Sequence, residues 1–253
     1  MSRLRLVAAF AALAFPILAA PLPALALDPA DRPEIEAIVR DYIMQNPEII
    51  RDAMAELEKR RVAEEERARK AGITDHAQTI FDSPRQVVLG NPKGDVTLVE
   101  FFDYNCGYCK RAHGDMKRLL DEDPNLRIVL KEFPVLGPGS GEAAQVAVAV
   151  NKIAPEKYGA FHDALITLRG EANGARALAA ATGIGLDENA LRAEMQAPLV
   201  NETLSEVYGL AETLGINGTP SYVVGDEVVV GAVGYDALKE KIESVRACGS
   251  TSC

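Results

Sequence analysis

Residues 96–109 read VTLVEFFDYNCGYC, and this stretch decides the fold. Val96 to Phe102 is a short apolar run with β-branched residues, the pattern of a buried strand. The turn Asn91-Pro92-Lys93-Gly94-Asp95 precedes it, Cys106 to Leu120 reads as a helix, and Leu126 to Phe133 reads as a second strand. Strand, helix and strand at this spacing form a βαβ unit, which implies parallel strands. Further along, Pro134 to Gly141 is a loop. Glu142 to about Leu214 is Ala-rich and helical, with breaks at Pro155, Gly170, Gly183-Ile184-Gly185 and Pro198. Ser221 to Val224 and Val228 to Ala232 then read as strands joined tightly through Gly225-Asp226-Glu227, and Tyr235 to Arg246 as a closing helix. The expected architecture is α/β: βαβ, a helical insertion over about residues 139–214, then ββα.

The N-terminal third has a different texture. Arg3 and Arg5 precede an apolar run from Leu6 to Leu27, and Ala24-Leu25-Ala26 places small residues where a signal peptidase reads. A signal peptide over residues 1–26, cleaved after Ala26, is expected. A membrane anchor is the alternative, disfavoured because Pro16, Pro21 and Pro23 interrupt the run. Export would place the chain in an oxidising compartment, a bacterial periplasm. Residues 28–72 are dense in charge. Ile35, Ile38, Val39, Tyr42 and Ile43 recur at helical spacing, as do Ile49, Ile50, Met54 and Leu57. Asn46-Pro47 separates the two sets as a kink or as a boundary where Asn46 caps a new helix. A helix from Pro33 to Lys70 would be about 57 Å long, so its apolar stripe is expected to pair with further copies of the chain. The other readings are a segment folded back on its own domain and a solvated helix. Gly72 is expected to end this segment, and residues 73–253 to form the main domain.

Of the 253 residues, 48% are hydrophobic and 25% charged, a globular mix; there is no Trp, and the formal net charge is -10. Nucleic-acid binding would need basic patches, which this balance argues against. Four cysteines are too few for a disulfide scaffold at this length.

Cys106 and Cys109 follow a strand and open a helix. Unpaired backbone N–H groups and the positive end of the helix dipole favour a thiolate at such a position, which makes Cys106 the expected nucleophile. Cys109, one turn further in, can attack the Cys106 sulfur of a mixed disulfide. A structural disulfide would close a very small loop. A haem site would need His where Lys110 stands. A zinc site would have to borrow Cys248 and Cys253. Those two sit in a Gly/Ser/Thr tail and are open to three readings: a tail disulfide, a second redox pair, or a metal site. His113, on the Cys109 face of the helix, could serve substrate or metal, or be a plain surface histidine. Glu100 is an acid inside an otherwise buried run, which is costly and often functional; an edge position in water is the alternative. Pro220 stands before a strand, where an X-Pro bond can be held cis in a tight turn.

The chain resembles the thioredoxin-fold thiol:disulfide oxidoreductases of the DsbA family, and among them the ScsC type with an N-terminal helical extension. Val99-Glu100-Phe101-Phe102-Asp103-Tyr104-Asn105-Cys106 resembles the family's strand leading into the active site, and Gly218-Thr219-Pro220 its cis-proline loop. The resemblance implies catalysis by Cys106 and Cys109, proton transfer by Glu100 toward Cys109, and substrate contacts at Thr219, Pro220, Gly107 and Tyr108. It implies no cofactor. Gly107-Tyr108 and Thr219 are more similar to the pair used by dimeric DsbC-type isomerases than to that of DsbA oxidases, and a self-associating extension points the same way. The helical insertion points to an oxidase. The expected function is therefore thiol:disulfide exchange on unfolded or misoxidised exported proteins, leaning towards isomerase or reductase, recharged by a membrane redox partner. A periplasmic copper carrier using the same thiols is the competing class, since thiolates select Cu(I).

Overall fold

The computed structural model describes residues 29–253, so the expected signal peptide and its cleavage site lie outside the described residues. The described residues divide into two compact units, one up to Glu58 and one from Lys59.

In the first unit, α1 (Arg32–Gln45) is followed by the start of α2 (Glu48–Asp75). Asn46-Pro47 separates two consecutive helices, but Asn46 does not cap the second. Its side-chain amide and its backbone N–H both donate to the Tyr42 carbonyl at the end of α1, 2.8 and 2.9 Å. Most of the described large apolar residues of this unit stay exposed, among them Ile38, Val39, Tyr42, Ile50, Met54 and Leu57, while Ile43 is partly covered.

In the second unit, Gly72 does not end the helical segment. Helix α2 runs on to Asp75, because Ile73 is buried in a core cluster with Leu214 and Ile216, and Gly72 lies against Leu214 and Thr213. A short α3 (Ala77–Phe81) and a strand β1 (Val87–Gly90) follow; the sequence reading left both as unassigned chain. Then come β2 (Val96–Phe102), α4 (Gly107–Glu122) and β3 (Leu126–Glu132). Five α-helices lie between β3 and β4: α5 (Pro138–Ile153), α6 (Tyr158–Ile166), α7 (Gly174–Gly183), α8 (Glu188–Glu194) and α9 (Pro198–Thr213). The chain closes with β4 (Ser221–Val224), β5 (Glu227–Val230) and α10 (Tyr235–Cys248). Gly225 takes φ +54 in the two-residue turn between β4 and β5, a conformation that favours glycine.

The sheet order is β1-β3-β2-β4-β5, with β2 and β3 parallel and every other pairing antiparallel. This is a DsbA-like thioredoxin fold with helical additions. Strand β2 is central and buried on both faces, which explains its nearly unbroken apolar sequence. Side chains alternate across it. Leu98 and Phe102 join the core shared with α4 and α5–α7, while Val99 and Phe101 join Ile73, Ile80 and the α9 residues on the other side. Glu100 has the parity of Leu98 and Phe102, so period two alone carries its carboxyl to the face that Cys106 and Cys109 occupy.

Candidate active site

Strand β2 ends at Phe102, and four residues carry the chain to the first turn of α4. Cys106 is the N-cap of that helix, in an extended conformation, and its N–H donates to the Asp103 carbonyl at 3.0 Å. Cys109 lies in the first turn. Both cysteines are reduced and largely buried, 6% and 2% exposed. Facing them is the loop before β4. Its Thr219–Pro220 peptide is cis, and the Thr219 carbonyl accepts a hydrogen bond from Cys106 Sγ at 3.1 Å. The expected site residues therefore converge: Cys106 and Cys109 from one end of α4, Thr219 and Pro220 from the opposing loop, and Glu100 from below. Gly107 and Tyr108 lie between the cysteines, with Tyr108 60% exposed beneath the Arg111 guanidinium, 4.3 Å from the ring centroid.

Glu100 is not at an edge in water. It sits on the central strand, paired with Leu130 on one side and Tyr222 on the other, and is 4% exposed. Burial pushes its carboxyl up to about 8. Burial also pushes the Cys109 thiol up, and the nearby Glu100 charge adds to this, while a side-chain hydrogen bond with Thr219 works the other way. Glu100 and Cys109 are thus an electrostatically linked pair of buried acids.

His113 is buried as well, not a surface histidine. Its Nε2 lies 2.9 Å from Asp163 Oδ1 and its ring 5.2 Å from that of His162. Burial draws its pKa down despite the Asp163 carboxylate. Cys248 and Cys253 form a disulfide with each other, which rules out a four-cysteine site with Cys106 and Cys109. Among the described residues, no group of three or more His, Cys, Asp or Glu side chains is placed to hold a metal.

Two parts of the site escaped the sequence reading. The first is Asp103, whose buried carboxylate accepts hydrogen bonds from Asn105, Ser140, Val135 and Leu136. The second is Glu132 at the end of β3. Tyr158 donates to its Oε1 at 2.5 Å and Tyr104 at 3.3 Å, and the Tyr104 hydroxyl also meets Nδ1 of His162 at 3.2 Å. Burial pushes Glu132 up to about 8 and His162 down to about 3. An acid inside a buried strand was the signal that singled out Glu100, and Glu132 carries the same signal.

Residues 97–243 match the DSBA-like thioredoxin domain. The chain belongs to the DsbA-like thioredoxin family. A second match, to the Copper resistance protein ScsC N-terminal domain, covers residues 31–64. This DsbA-like chain is 45% identical to a thioredoxin-like oxidoreductase of Silicibacter pomeroyi, covering 68% of this chain and 98% of that one with a TM-score of 0.65. It is 29% identical to Proteus mirabilis ScsC, over 88% of this chain and 98% of that one, with a TM-score of 0.65. It is also 29% identical over 171 residues to the Na(+)/H(+) antiporter NhaA 1 of Salinispora arenicola, and spans 26% of that protein's length. No helix among the described residues is long and apolar enough to cross a membrane.

Proposed function

We propose that the chain is a periplasmic thiol:disulfide oxidoreductase acting on exported proteins through Cys106 and Cys109, with the balance towards isomerisation or reduction. The observation that carries this reading is the Cys106 Sγ to Thr219 O hydrogen bond at 3.1 Å. It joins a cysteine at a helix N-terminus to the cis-proline loop that faces it. In the reductive direction the Cys106 thiolate attacks a substrate disulfide. One Cys106–substrate S–S bond forms, the substrate S–S bond breaks, and one substrate thiolate leaves. Cys109 loses its proton to Glu100 and attacks Cys106 Sγ, releasing the second substrate thiol. The substrate is then reduced and the Cys106–Cys109 pair oxidised. Run backwards, Glu100 returns the proton to Cys109 as its sulfur leaves. In isomerisation the freed substrate thiolate attacks another disulfide of the substrate, and the thiolate this releases attacks the substrate sulfur of the mixed disulfide. A new substrate S–S bond forms, the Cys106–substrate bond breaks, and the pair ends as it began.

Gly107-Tyr108 and Thr219 support the isomerase balance by their similarity to DsbC-type enzymes. So does the stripe of exposed apolar side chains on α1 and the start of α2, which residues 28–72 would bury by homo-oligomerisation. Misoxidised or unfolded exported proteins are the substrates, and a membrane thiol–disulfide protein is the redox partner. Export through residues 1–26 completes the reading.

The helical insertion α5–α9 favours a second reading, a DsbA-like oxidase. Comparing the refolding of a scrambled disulfide protein with the oxidation of its reduced form separates the two: faster refolding supports isomerisation, faster oxidation the oxidase. The match to the copper-resistance ScsC N-terminal domain favours a third reading, Cu(I) held by the two thiols. Cu(I) binding without any exchange activity would establish the carrier instead.

A further inference from the structure

Four chain segments meet at one carboxylate that the exchange chemistry leaves unassigned. Asp103 is 1% exposed. Its Oδ1 accepts from the Asn105 N–H at 2.8 Å and from Ser140 Oγ at 2.8 Å. Its Oδ2 accepts from the N–H groups of Val135 and Leu136 at 2.9 and 3.0 Å. Its own carbonyl accepts the Cys106 N–H at 3.0 Å. Asn105 extends the junction: its amide donates to Ser140 Oγ and to the Ala172 carbonyl, both at 2.9 Å, and its Oδ1 accepts the Ala172 N–H. The nucleophile's loop, the β3–α5 loop, the start of α5 and the α6–α7 loop are thus fastened together beside Cys106.

The β3–α5 loop carries two apolar side chains that the core does not use. Val135 is 40% exposed and Leu136 is 55% exposed, and both are held by the same Asp103 oxygen. An unfolded protein presents apolar side chains next to its cysteines, and an exposed apolar lip fixed relative to the attacking sulfur is what would hold such a chain in place. We propose that Asp103 is a positioning residue for protein substrates: through its two oxygens it sets the Val135–Leu136 lip at a fixed place relative to Cys106. This rests on the reading of the chain as an exchange enzyme. A small disulfide has no use for the lip, so the proposal separates two classes of substrate.

The test compares full-length wild type, Asp103→Asn and Ser140→Ala with two probes, scrambled ribonuclease and oxidised glutathione. In Asp103→Asn the amide turns a donor towards N–H groups that need an acceptor. The KM for scrambled ribonuclease is expected to rise about tenfold, the effect of losing one charge-assisted hydrogen bond. Any loss with oxidised glutathione is expected to be several-fold smaller than the loss with scrambled ribonuclease, because a small disulfide does not reach the lip. Ser140→Ala removes one donor of the four. It is expected to raise the same KM about threefold, a neutral hydrogen bond's worth, and it provides the answer if Asp103→Asn does not fold. A parallel fall with both probes, or no change in KM in the folded variants, overturns the proposal. A wild type that turns over neither probe is a different result: it overturns the exchange reading, and this proposal with it.

Discussion

The Cys106 thiol donates to the Thr219 carbonyl across 3.1 Å, so the nucleophile and the cis-proline loop are already engaged with each other before any substrate arrives. The Asp103 backbone and the Thr219 side chain both draw the Cys109 thiol down against the effect of burial, Thr219 the more weakly of the two. Thr219→Val keeps the backbone carbonyl and removes the side-chain hydroxyl. Cys109 should then resist ionisation slightly more, and mixed disulfides should resolve more slowly, by up to about threefold. Quenched-flow measurement of the resolving step checks this; an unchanged rate would remove the hydroxyl from the mechanism.

Glu100 gives a pH dependence with a definite sign. The unfolded chain releases this proton near 4.5 and the folded chain near 8. Between those values the folded state holds the extra proton, so stability falls as pH rises through that window. Glu132, also pushed up to about 8, acts in the same direction. His162, lowered to about 3, acts in the opposite direction only below its ordinary value of 6.5. Between pH 6.5 and 8 the two acids therefore dominate among these three groups. Glu100→Gln should flatten the decline and raise stability at pH 8 by on the order of a few kcal/mol. It should also slow the resolving step by about tenfold or more and abolish its inflection near pH 8. Denaturant unfolding at several pH values, with matching kinetics, tests both; equal pH slopes in the two proteins would contradict the assignment.

The cysteine pair is legible in the sequence because a strand-to-helix junction puts Cys106 at a helix N-terminus. Glu100 stands out as an acid in a buried run, its role toward Cys109 comes only with the family resemblance, and in the structure the alternation of β2 accounts for its place on the cysteine face. What escaped depended on partners remote in sequence. Asp103 is an ordinary loop acid until residues 135, 136 and 140 arrive to hydrogen-bond it. Strand β1 is only four residues long, and nothing but its pairing with β3 identifies it. His113 stays open in the sequence between a substrate or metal role and a plain surface position, because Asp163 and His162, which cover it, come from an inserted helix.

The extension of α2 to Asp75 changes how the oligomer is tested. Ile73 is core, Lys70 pairs with Asp226 at 2.9 Å, and Gly72 packs on Leu214. On the proposed self-association, the chain from Leu27 onward should sediment as an oligomer and a chain beginning at Lys59 as a folded monomer. A chain beginning at Ile73 should unfold at lower denaturant than the one beginning at Lys59. Sedimentation that gives the Lys59 chain the same subunit number as the full-length protein would disprove self-association through the N-terminal helices.

The tail disulfide should be silent in exchange. Cys248 and Cys253 enclose Ser250 and Thr251, which hydrogen-bond Asp226 at the β4–β5 turn. So short a loop is worth at most about 2 kcal/mol of stability. A Cys248→Ser/Cys253→Ser double variant should lose no more than that on denaturation and keep its turnover with scrambled ribonuclease. A loss of turnover would make the tail a second redox pair.

The central claim is that Cys106 attacks substrate disulfides and Cys109 resolves them. Its most direct test is expression of the exported Cys109→Ala variant in a bacterial periplasm, followed by acid quenching, non-reducing electrophoresis and mass mapping of any adduct. The account predicts several exported proteins joined to the variant through Cys106, reversible by dithiothreitol and missing from Cys106→Ala/Cys109→Ala. Failure to capture any protein on Cys106 would contradict it.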